Sequence, residues 1–110
     1  MTREEVRTMC RRMGLYFDEK HPDHISREKL KRLAPPFMEY TLEPVPVYAD
    51  GASDYLDIQQ LTIWIYSDTE ECTAEPGVRA VLDAEELRYI RGATYMEELQ
   101  MWAISYSMQV

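Results

Sequence analysis

The stretch Met101-Trp-Ala-Ile-Ser-Tyr-Ser-Met-Gln-Val110 alternates without a break. Trp102, Ile104, Tyr106 and Met108 fall on one side of an extended chain, and Ala103, Ser105, Ser107 and Gln109 on the other. Period-two alternation of this kind is a strand, and a strand must find partners for its backbone groups and cover for its apolar face. Leu56 to Tyr66 reads the same way, with Leu61, Ile63 and Ile65 on one face and Thr62, Trp64 and Tyr66 on the other. Both of its faces are bulky, so both need cover, from helices or from another subunit. At 110 residues the chain has room for one core and one domain, spanning 1–110.

The N-terminal part is helical in pattern. Thr2 and Glu5 are spaced as a capping box, and Val6, Met9, Cys10 and Met13 form an apolar stripe at helical spacing. Gly14 is placed to end that helix in the left-handed conformation. Residues 15–25 read as a polar loop. Ser26 caps a short second helix, with Ile25 and Leu30 spaced as a hydrophobic staple, and Pro35 and Pro36 stop it.

Phe37 to Glu43 alternates as a strand. The next stretch, Val45 to Asp54, ends in small polar residues around Asp50-Gly51 and reads as a projecting loop. Ser67 to Cys72 is an acidic turn. Thr73 is placed to cap a helix running to about Leu87, with Pro76 in its first turn and Val78, Val81 and Leu82 facing inward. Leu87 to Ala93 is a short strand or connector, and Tyr95 to Val110 a long strand or one with a bend. Residues 1–35 are thus a helical part, and residues 36–110 a strand-strand-helix-strand-strand core.

Charge is unevenly spread. Residues 1–35 hold nine Lys/Arg and six Asp/Glu, a net of +3, whereas residues 36–110 hold three Arg and fourteen Asp/Glu, a net of −11. The acidic part repels a phosphate backbone, which disfavours nucleic-acid binding there. Arg3, Arg7, Arg11 and Arg12 lie largely off the apolar stripe and are interleaved with acids, as on a solvated helix surface. Cys10 and Cys72 are far apart and outside any CxxC pattern, so they imply no disulfide framework and fit a reducing compartment. The first residues lack an apolar core of a signal peptide, and no run is long enough to cross a bilayer. Synthesis and folding in the cytoplasm are expected.

Residues with catalytic potential do not assemble into a known pattern. His21 and His24 have H-x-x-H spacing, but Pro22 lies between them and no further ligand cluster follows. The acid pairs Glu70-Glu71, Glu85-Glu86 and Glu97-Glu98 are sequence neighbours, which do not face one another across a cleft. Asp50, Asp54 and Asp57 lack EF-hand spacing. No nucleophile elbow or phosphate-binding glycine loop is present. The expectation is a non-enzyme with no cofactor and no metal. The aromatic set Trp64, Tyr66, Tyr95, Trp102 and Tyr106 packs the core or faces a partner.

From Pro36 onward the chain resembles the small tail terminator proteins encoded by prophages of Gram-positive bacteria. The features that carry this are Pro36-Phe37 with Tyr40, Ala49-Asp50-Gly51, and the strand Tyr55-Leu-Asp-Ile-Gln-Gln-Leu-Thr-Ile-Trp-Ile-Tyr66 followed by Ser67-Asp68. Val81-Leu82-Asp83, Thr94-Tyr95-Met-Glu-Glu-Leu and Met101 to Val110 complete the pattern, and Thr2-Arg-Glu-Glu-Val matches the family's opening helix. The likeness covers roughly three-quarters of the chain and departs from it between Phe17 and Arg32, where an extra charged stretch stands.

The resemblance implies an α+β fold: a small, mainly antiparallel sheet of about four strands, with an N-terminal helix and one central helix packed on one side. It implies a virion structural protein that forms a homo-oligomeric ring, hexameric by expectation, at the head-proximal end of the tail tube. Its partners are then copies of itself, the tail tube protein and head–tail connector proteins, with no membrane and no sequence-specific nucleic-acid contact. Its place is the bacterial host cytoplasm during assembly and then the virion tail. An acidic domain whose chain ends in an open strand suits such self-association. Trp64, Tyr66, Trp102 and Tyr106 are the expected core or subunit contacts, and Val45, Val47, Tyr48, Asp50 and Asp54 the expected projecting loop. Two other readings remain: a head-completion connector, and an acidic monomeric module that binds and regulates a host protein.

Overall fold

A computed structural model describes residues 1–19, 34–45 and 58–110. The first element is α1 (Arg3–Arg12), opened by the capping box of Thr2 and Glu5. Its stripe of Val6, Met9, Cys10 and Met13 is buried, and Gly14 follows with φ +78°. Strands β1 (Phe17–Glu19), β2 (Phe37–Pro44) and β3 (Gln59–Ser67) come next, then α2 (Glu75–Ala84), β4 (Ile90–Met96) and β5 (Met101–Gln109). The five strands make one sheet in the order β1-β2-β3-β5-β4. β1 runs parallel to β2, and every other pair is antiparallel.

The alternation read from the sequence is the packing of this sheet. On one face Met38, Tyr40 and Leu42, Leu61, Ile63 and Ile65, and Ile104, Tyr106 and Met108 form a single core with Val6, Met9 and Cys10 of α1 and Val78 and Leu82 of α2. Register places Tyr40, Ile63 and Tyr106 in one row across the three central strands. On the other face Phe37, Tyr66, Leu99, Met101 and Ala103 form a smaller cluster. There Phe37 and Tyr66 stack with ring centroids 5.1 Å apart.

Four expectations are corrected. The sheet is mainly antiparallel, as expected, but has five strands rather than about four, because Phe17–Glu19, read as polar loop, pairs parallel with Met38–Tyr40. Three residues are too few to display an alternation. The span from Tyr95 to Val110 is not one strand. β4 ends at Met96, and Leu99 and Gln100 donate back to the carbonyls of Met96 and Glu97 in a tight turn. Gln100 takes the left-handed conformation there (φ +52°) without a glycine, so no composition signal marks the turn. β5 is not an open strand, since it is paired on both sides, by β3 and by β4. Finally, the residue before α2 is Ala74, which makes no side-chain cap, rather than Thr73. The expected helix at 26–34 lies almost wholly outside the described residues.

α2 ends in a left-handed residue that is also not glycine. Glu86 has φ +57°, its N–H donates to Asp83, and the Leu87 N–H donates to Leu82, the double bond of a Schellman motif. Glu86→Gly is therefore expected to raise stability by about 0.5–1 kcal/mol, and Gly14→Ala to lower it by about 1 kcal/mol, since nothing crowds a Cβ at Gly14 and only its backbone is strained. Urea unfolding of the two variants beside the parent checks both signs.

Candidate functional site

The densest polar arrangement lies between α2 and the β4–β5 edge of the sheet. Glu75, the first residue of α2, is only 4% exposed. Its Oε1 accepts from the Tyr106 hydroxyl at 2.5 Å, from Arg91 Nε at 2.7 Å and from Arg79 Nη2 at 3.4 Å. Its Oε2 accepts from Arg91 Nη2 and from the Cys72 N–H, both at 3.3 Å. Arg79 Nε in turn donates to the Tyr106 hydroxyl at 3.0 Å. The carboxylate thus fastens the turn before α2 to the helix start through the Cys72 amide, and it sits where the helix dipole favours negative charge.

Burial by itself would push the Glu75 carboxyl up. Hydrogen bonds from Arg91 and Tyr106, with the charge of Arg91 and the Cys72 amide, outweigh it and hold the group at about 2. Tyr106 is pushed upward by burial and by its bond to Glu75. The carboxylate therefore stays ionised and saturated with donors at neutral pH, and the phenol stays protonated. Such a set binds elements together, with the phenol proton held by Glu75 and the carboxylate oxygens taken up by donors.

The sequence-predicted aromatic residues separate onto opposite faces. Trp64 and Tyr66 are on the face away from the helices, and Trp102 and Tyr106 on the helix side. Tyr106 is fully buried at the centre of the polar cluster, with Tyr89 edge-on to it at 5.1 Å. Trp102 is half-buried and meets Tyr95 edge to face at 5.4 Å. Tyr66 is buried, and its hydroxyl donates to Glu39 Oε1 at 2.8 Å. Burial first, then the Glu39 charge, raises that phenol. Trp64, Tyr66, Thr94, Met96, Ala103 and Ser105 line a groove of about 230 Å³ on this face. Of the expected projecting loop, Val45 continues the sheet, its N–H donating to the Ile58 carbonyl at 2.8 Å. Val47, Tyr48, Asp50 and Asp54 lie outside the described residues, as do His21 and His24.

Sequence reasoning missed the Glu75 cluster. Its one local sign was a Glu three residues after Cys72 at a helix start; Arg91 and Tyr106 are 16 and 31 positions away. Among the described residues no group of three or more His, Cys, Asp or Glu is placed to hold a metal ion, and no helix is long and apolar enough to cross a membrane. Cys10 is buried against the core, which pushes its thiol up to about 12. Comparison of the chain with protein-family models and with curated proteins finds no match.

Because the Glu75 carboxyl is lowered from 4.5 to about 2, its contribution to stability is complete above pH 4.5 and disappears as pH falls towards 2. That contribution is about 3 kcal/mol. Unfolding free energies measured by urea from pH 7 to pH 2 should fall by this amount in the parent. Glu75→Gln should be about 3 kcal/mol less stable at pH 7 and should lose this component of the acid dependence.

Proposed function

We propose that the chain is a phage virion structural protein, a tail terminator or tail-completion protein. It forms a ring, by expectation a hexamer, at the head-proximal end of the tail tube and joins the tail to the head. The observation that carries this reading is where the residues of the resemblance lie. Phe37 and Tyr66 stack on one face, Tyr40, Leu61, Ile63 and Ile65 fill the other, and Leu82 seals α2 onto it. The pattern is thus that of the packing framework itself, spanning β2, β3, α2 and β5. The polar residues add to the same reading, since the hydrogen bonds around buried Glu75 tie a helix to two strands. In this role the protein gathers in the host cytoplasm and ends in the virion tail, and its contacts are with copies of itself, the tube protein and the connector.

Incubating the protein with tubes assembled from a phage tail tube protein, followed by negative-stain electron microscopy, tests the role. A ring at one end of each tube, with tube growth arrested, is the expected result. Binding to the head connector without binding to tubes would favour a head-completion role. Absence of binding to either would overturn the proposal.

A further inference from the structure

We infer that two copies of this chain pair through β4, strand against strand and antiparallel across a two-fold axis at Ala93, so that their sheets become one. This contact goes beyond the ring reading and does not depend on it. A two-fold contact closes at two copies, whereas a ring is built from head-to-tail contacts. The pair is a state of the chain away from the tube.

The two edges of the described sheet are unlike. Sheet edges are commonly blunted by shortness, charge, proline or a covering element. β1 has three residues, of which Asp18 and Glu19 are acidic. β4 has seven, Ile-Arg-Gly-Ala-Thr-Tyr-Met, without proline, and its one charge, Arg91, is paired with Glu75 at 2.7 Å. The outer side of β4 has no strand partner among the described residues. Ile90 is 78% exposed there, and Tyr95 46%. A strand laid on this edge gives its backbone groups partners and covers both side chains.

A second copy is the occupant that this edge fits. In a continuous sheet, residues that stand opposite one another lie on the same face. Register against β5 puts Ile90, Gly92, Thr94 and Met96 on one face of β4 and Arg91, Ala93 and Tyr95 on the other. Centred on Ala93, two β4 strands set Ile90 against Met96, Gly92 against Thr94 and Arg91 against Tyr95, and every residue of both strands is paired. The exposed isoleucine gains an apolar neighbour, and the exposed tyrosine ring gains a guanidinium.

The ends of the strands match in charge. Arg88, two residues before β4, is exposed and makes no ion pair among the described residues. In this register it comes beside Glu97 and Glu98 of the second copy, which directly follow β4, and the two-fold axis makes that match twice. The neighbouring registers are poorer. Centring on Gly92 brings Glu86 of one copy towards Glu98 of the other, and centring on Thr94 sets Ile90 against Glu98. Short and acidic, β1 offers β4 neither the length nor a charge opposite to Glu97 and Glu98.

The test uses the full chain, with each variant checked for folding by near-ultraviolet circular dichroism. Mass is read by light scattering across concentrations up to millimolar. The parent should form a species of two chains, and Ile90→Asp and Arg88→Glu should each dissociate at about tenfold lower dilution or less. Combining Arg88→Glu with Glu97→Arg and Glu98→Arg restores opposite charges across the axis and should restore pairing. Single cysteines locate the axis. Ala93 faces itself, with Cα atoms about 4.5–5.5 Å apart, within disulfide reach. Tyr95 stands roughly 13 Å along the strands from its own copy, beyond that reach. Mild oxidation should therefore link Ala93→Cys into dimers and leave Tyr95→Cys unlinked, while Cys10 and Cys72 are buried. A dimer in which Tyr95→Cys links as fast as Ala93→Cys, or in which neither links, has another contact and overturns the inference. A parent that stays monomeric to millimolar concentration overturns it whatever the tube experiment shows. A linked pair that binds neither tubes nor connector leaves this contact standing and removes the ring reading.

Discussion

A carboxylate buried to 4% exposure is tolerable only if its lone pairs are filled, and Glu75 fills them with Tyr106, Arg91, Arg79 and the Cys72 amide. That one group connects α2, β4 and β5. It ties the turn at Cys72 to the start of α2, where Ala74 makes no side-chain cap, and it pairs with Arg91, the one charge of β4. A half-satisfied version of this cluster would be worse than an apolar one, which is why its parts stand or fall together.

The sheet has two unequal faces. The helix side is a continuous core, with Val6 and Met9 of α1 and Val78 and Leu82 of α2 closing over Ile63, Ile65 and Tyr106. The other side has a compact aromatic cluster at Phe37 and Tyr66 and a groove beside Trp64. The aromatic residues that look alike in sequence thus have different tasks. Tyr106 is a hydrogen-bonding hub, Tyr66 anchors the face opposite α1 and α2, and Trp64 and Trp102 are half-exposed on opposite sides.

Much of the local structure was legible. The capping box at Thr2 and Glu5, the stripe of Val6, Met9, Cys10 and Met13, and the alternation in β2, β3 and β5 depend on neighbours within one or two turns or along one strand. The misses share a cause. β1 is too short to show a period, and it exists because β2 offers it an edge. The β4–β5 turn holds Gln100 in a left-handed conformation that the surrounding pairing enforces. Glu86 does the same at the end of α2, against the residue preference of that position.

What the sequence determined by itself was periodicity: which of the longer segments are helix or strand, which side chains turn inward, and that helices and strands combine in an α+β fold. Strand order, the interior place of β5, the outer place of β4 among the described strands and the ion-pair cluster were decided only in the tertiary structure. The physical reason is reach. Periodicity is imposed by the backbone over a few residues, whereas pairing and the solvation of Glu75 depend on groups far along the chain that share no local pattern with it.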